Sequence, residues 1–180
     1  TLKKVEKDLQ KFCETHIELY RGDSFQVLVN EAGKAVLCAV LIRAMLIRKS
    51  WDARMSVGIG DVSYQNEHVT QSDGEAFRLS GRTFDDIGKS RLRITTPEKE
   101  INEELVLTSA FADDIISNWS AKQAECIYQT LAEGLNRREL AEQTGTTVQN
   151  IGKTLRAAKE SLIGAFIKRC EYLINHYIEK

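Results

Sequence analysis

Proline is almost missing from this chain. Pro97 is the only one in 180 residues, and it closes the last stretch that reads as a strand. No proline-rich linker, internal repeat or low-complexity tract divides the sequence. Cysteine is scarce too. Cys13, Cys38, Cys126 and Cys170 lack Cys-x-x-Cys or Cys/His ligand spacing, which argues against a zinc site. Each is expected in a helix among apolar neighbours, where a free thiol acts as a small hydrophobe, and a reducing cytoplasm is the expected compartment. No run of eighteen uncharged apolar residues occurs. The richest stretch, residues 35–47, is interrupted by Arg43, so a buried core helix is expected and no membrane partner. No signal-peptide pattern is visible, and the opening on Thr1 in place of Met suggests a fragment or a processed chain. Excess charge is missing as well, with a formal net charge of -1. From Trp119 onward nine Lys and Arg face seven Asp and Glu, so any nucleic-acid contact must depend on local placement of charge.

What is present is ordinary globular composition, 42% hydrophobic and 28% charged, enough for one medium domain or two small ones. The most informative stretch runs from Asn136 to Lys159. It reads as a helix, a tight glycine turn and a second helix, with the spacing of a DNA-binding helix-turn-helix. Ala141 is small where two helices cross, and Gly145 supplies the positive φ of a sharp helix end. Thr146 or Thr147 caps the next helix, whose inner face holds Ile151 and Leu155. Gln149, Asn150, Lys153 and Arg156 then point outward, with Thr147 beside them, and Arg137 and Arg138 open the preceding helix where they can grip phosphates.

Ahead of this unit the pattern mixes helices and strands. Residues 2–15 read as a helix, 16–20 and 25–29 as a hairpin, 30–49 as a helix and 54–64 as a strand. A helix over 75–87 and a strand over 91–95 follow. The fold class expected is α+β, a sheet layer covered on one face, followed by helices only. Residues 1–97 form the α+β part, 98–118 a connector helix and 119–180 an all-α part. Its last helix carries a broad apolar face including Leu162, Phe166, Leu173 and Tyr177. Such a face serves packing against the first part or a homodimer.

Two clusters in the first part have functional chemistry. Asp23 sits in the hairpin turn, where a carboxylate can hold a hard cation such as Mg²⁺, although Gly-Asp is also an ordinary turn pair. Residues 72–82 enter a helix at Gly74, whose backbone N–H offers an anion donor, and Arg78 and Arg82 lie four apart on one face, as a polyphosphate requires.

Arg21-Gly-Asp-Ser-Phe-Gln26 resembles the Gly-Asp hairpin of class III nucleotide cyclases, and Gly74-Glu-Ala-Phe-Arg-Leu-Ser-Gly-Arg82 resembles their Gly-x-x-Val-Asn-x-Ala-x-Arg segment. The resemblance implies a ferredoxin-like, nucleotide-cyclase-like domain with nucleotide-binding residues Gly22, Asp23, Gly74, Arg78 and Arg82. Within that set Asp23 would ligate metal and Arg82 would steady the transition state. Arg78 stands where the cyclases have asparagine, and the first metal-binding aspartate of a two-metal cyclase has no counterpart in the chain. The order of these pieces, with Gly58-Ile-Gly-Asp-Val62 between them and Trp119-Ser-Ala-Lys-Gln-Ala124 after them, is similar to the bacterial SatD family. The C-terminal unit resembles region 4 of sigma factors. The implied function is a cytoplasmic bacterial regulator that binds double-stranded DNA through its helix-turn-helix while a degenerate cyclase-like domain senses a nucleotide ligand or scaffolds. The alternatives are a Mg²⁺-dependent enzyme acting on a nucleotide, with Asp23, Arg78 and Arg82 as catalytic candidates, and a protein-interaction module. An enzyme is the less favoured reading.

Overall fold

A computed structural model describes residues 2–20, 23–63, 69 and 72–178. The fold is mixed α+β. Helix α1 (Leu2–Leu9) leads into an antiparallel hairpin of β1 (Thr15–Tyr20) and β2 (Ser24–Val29), in which Thr15 faces Val29 and Tyr20 faces Ser24. A 3-10 turn, Ala32–Lys34, opens α2 (Ala35–Ile47). Strand β3 (Met55–Gly58) and strand β4 (Leu92–Thr95) pair in parallel through the crossover helix α3 (Glu75–Asp85). The four strands thus make two separate two-stranded sheets. Five helices complete the chain: α4 (Lys99–Ser117), α5 (Ala121–Ala132), α6 (Arg137–Thr144), α7 (Val148–Ala157) and α8 (Glu160–Ile178).

Several elements are shorter than their sequence patterns. The α1 helix stops at Leu9, so Cys13 lies in the turn before β1, not in a helix as expected. There its thiol meets that of Cys38 at 3.8 Å, and the Thr15 hydroxyl at 3.3 Å. The strand expected over 54–64 ends at Gly58, level with the end of its partner at Thr95, and α3 packs closely there: a Cβ at Gly58 would stand 2.1 Å from the Ala76 carbonyl oxygen. Tyr64 lies outside the described residues. Among the described residues no helix is long and apolar enough to cross a membrane.

Helix α2 is apolar nearly all round, and it is buried accordingly. It packs on α1, α4, α5, α8 and β3. One contiguous cluster of buried residues therefore runs from Val5 and Leu9, through α2 and Leu105 and Ile116 of α4, to Ile127, Ile151 and Ile174. Residues on both sides of position 119 share this core. Among the described residues its one buried cation is Arg43 on α2, with no exposed surface. The guanidinium forks onto Asp52 (Nε–Oδ1 3.0 Å, Nη2–Oδ2 2.8 Å), donates to Asp113 on α4 at 2.6 Å and reaches the Ser117 hydroxyl at 2.9 Å. Asp113 also accepts the backbone N–H of Arg91 at 2.7 Å, so this network fixes the start of β4 against α2 and α4.

Candidate nucleic-acid interface

The C-terminal three-helix unit is built from its caps. Ser120 starts α5 with a reciprocal capping box, accepting from the Gln123 N–H while the Gln123 side chain accepts from the Ser120 N–H. Asn136 does the same for α6 with Glu139. The Asn-x-x-Glu spacing of that second box is legible in the sequence. Gly145 ends α6 at φ 64, ψ 33, and the Thr146 N–H returns to the Ala141 carbonyl at 2.9 Å. Of the two threonines expected to cap α7, it is Thr147 that does so, accepting from the Asn150 N–H at 3.2 Å.

Packing then fixes the orientation of α7. Ile151 and Leu155 are buried beneath it, with Ala141 on α6 and Ala124, Ile127 and Tyr128 on α5. Trp119, itself buried, donates its indole N–H to the Ala158 carbonyl at 2.8 Å, tying the end of α7 to the junction of α4 and α5. Helix α7 is thus clamped at both ends, by the Gly145 turn and by Trp119.

The outward face agrees with expectation at some positions and departs from it at others. Gln149, Lys153, Arg156 and Arg138 are exposed, and no carboxylate pairs with Lys153, Arg156 or Arg138 among the described residues. Helix α7 holds no acidic residue. Asn150, expected to point outward, is half-buried: its Nδ2 donates to the Thr146 hydroxyl at 2.8 Å, bracing the turn. Thr147 accepts from α7, leaving its own O–H as the outward donor. Arg137 is exposed but leans back over α7, within 3.9 Å of Glu160, so that a Cβ placed on Gly152 would meet its guanidinium. Val148 is a further exposed apolar side chain, on the first turn of α7 beside Gln149. Its position before a polar residue gave no periodic signal.

The first-part residues are not gathered in the same way. Gly22 lies outside the described residues. Asp23 is exposed at the hairpin tip, where among the described residues it accepts from the neighbouring Ser24 hydroxyl at 3.3 Å. Among the described residues no group of three or more His, Cys, Asp or Glu is placed to hold a metal ion. The anion cradle expected at Gly74 is already occupied by the protein itself. The Gly74 N–H donates to Asp73 at 2.7 Å, and the Ala76 N–H donates to the Asp61 carbonyl at 3.3 Å. Arg78 pairs with Asp73 at 3.3 Å. Arg82 instead lines a cleft of about 290 Å³ with Arg93, Asn102 and Thr95, to which Asp23, Gly74 and Arg78 do not contribute.

No protein-family model, no curated protein and no solved structure matches this chain.

Proposed function

We propose that the protein binds duplex DNA, with α6, the Gly145 turn and α7 acting as a helix-turn-helix and α7 as the helix that enters the major groove. The observation that carries this reading is the outward face of α7. Its cations Lys153 and Arg156 have no carboxylate partner among the described residues, and they stand over a buried apolar floor that fixes the helix. Gln149 can present a paired donor and acceptor to an adenine, Val148 an apolar contact to a thymine methyl, and Lys153 and Arg156 donors to guanine or phosphate. Arg138 at the start of α6 adds a phosphate contact. Asn150 supports the turn from within, so it drops out of the reading set. The α+β part, read as a degenerate ferredoxin-like, nucleotide-cyclase-like domain, serves as scaffold or sensor, and the setting is a bacterial cytoplasm.

A mobility-shift titration against random-sequence duplex tests the reading. Binding weakens as salt rises, and Lys153→Ala with Arg156→Ala lowers affinity at least ~10-fold and flattens the salt slope by about one counterion per residue removed. Binding that ignores salt, or that survives the double substitution unchanged, overturns it.

A further inference from the structure

Half of the large apolar side chains exposed on the described surface lie on just two helices, α4 and α8. These helices pack side by side and run antiparallel. Arg169 on α8 grips Glu104 near the start of α4 (Nε–Oε1 2.8 Å, Nη2–Oε2 3.2 Å), while Trp119, just past the end of α4, reaches Ala158, just before α8. Their inner faces are spent on the core through Leu105, Ala112 and Ile116 and through Ile163, Cys170 and Ile174. Their outer faces are apolar again. Leu107 is 58% exposed and Phe111 65% on α4, and Leu162 is 59% exposed and Tyr172 56% on α8. The antiparallel register sets Phe111 level with Ala165 and Leu162 across the groove. An apolar ridge of this kind on a folded surface marks an interaction site.

Charge says which partner. The outward positions of α4 carry Glu100, Glu103 and Asp114 and no base between them, whereas the outward positions of α8 carry Lys168 and no acid. The face is therefore complementary to itself only when α4 meets α8. Packing α4 on α4 would oppose carboxylates, and packing α8 on α8 would oppose lysines.

We propose that two copies of the chain associate here, α4 of each lying along α8 of the other about a two-fold axis parallel to the groove. In this arrangement Phe111 enters the partner's notch at Ala165 beside Leu162, which forms the dry centre. Glu103 lies on the rim within a turn of the partner's Lys168. The face is small, so association is weak and concentration-dependent. This dimer is independent of the DNA reading; if both hold, it presents two copies of α7.

Sedimentation velocity of the full chain from roughly 1 to 200 µM tests it. The mass rises from 20.3 kDa toward twice that value. Phe111→Asp weakens association at least ~10-fold with an unchanged thermal melt, because the side chain is already exposed. Glu103→Lys and Lys168→Glu each impair self-association when alone. An equimolar mixture of those two variants re-associates, because each chain then meets opposite charge at both rims. A monomer at every concentration, association indifferent to Phe111→Asp, or a mixture that stays apart overturns the proposal. None of these outcomes depends on DNA.

Discussion

Tyr128 on α5 donates its hydroxyl to Asp8 on α1 at 2.5 Å, joining two helices 120 positions apart in sequence. Both groups are buried. Burial pushes the Asp8 carboxyl up, but the bonds from Tyr128 and Lys11 outweigh it, so the carboxyl titrates below its ordinary value. Burial, and then the bond to Asp8, raise Tyr128. Tyr128→Phe should cost about 1–3 kcal/mol in urea unfolding at neutral pH, because it leaves a buried carboxylate short of a donor. The sign on the acid side follows from the depressed Asp8. Its stabilisation is complete above the unfolded value, about 3.9, and is lost as pH falls through the lower folded value. The gap between the two proteins should therefore narrow below about pH 4. A gap that widens on acidification would contradict the assignment.

Arg43→Met should be among the most damaging single changes. The substitution keeps the apolar volume but strands Asp113 and Asp52, both held by the guanidinium. A loss of about 3–5 kcal/mol is expected, in the range for breaking a buried ion pair from one side. Adding Asp113→Asn should recover part of it, since the partner's charge is then removed as well. Chemical denaturation of the four proteins of the cycle provides the check.

Two residues in the left-handed conformation bound α7, Gly145 at φ 64 before it and Lys159 at φ 58 after it. Opposite outcomes are expected. Gly145→Ala should destabilise by about 1–2 kcal/mol and weaken DNA binding, because the turn that aims α7 is strained. Lys159→Gly should stabilise by about 0.5–1 kcal/mol by relieving the same strain. Thermal melts with a parallel binding assay distinguish the two.

All four cysteines are buried. Burial raises the Cys170 thiol to about 12 and lifts Cys126 as well. Cys38 is raised too, by burial first and then by the neighbouring Cys13. A thiol-reactive chromophore at pH 8 should therefore label the native protein slowly and all four sites promptly in denaturant. Rapid labelling of the native chain would contradict this burial.

The features legible in the sequence were those decided within a turn or two of chain. The hairpin, the Gly145 end of α6 and the inner face of α7 follow from local spacing, and the structure has them. Contacts over long separations were not legible. Nothing near Arg43 announces Asp113, and nothing near Ala76 announces that the Asp61 carbonyl takes its N–H. Asn150 turned inward because a threonine hydroxyl lay one helical turn away, a competition that residue type alone does not decide. Of the broad apolar face expected on α8, Phe166 and Leu173 are buried together with Ile163, Cys170 and Ile174, whereas Leu162 is exposed.

Helix α2 has a practical consequence for anyone dividing this chain. It lies between the N-terminal helix and the last one, and α5 rests directly on it. A fragment beginning at Trp119 would keep every residue of the proposed reading head but would bare the flank of Ile127 and Tyr128 to water. It should be poorly soluble and loosely folded, and a protease that nicks the 98–118 stretch should leave two pieces that stay together until denaturant is added.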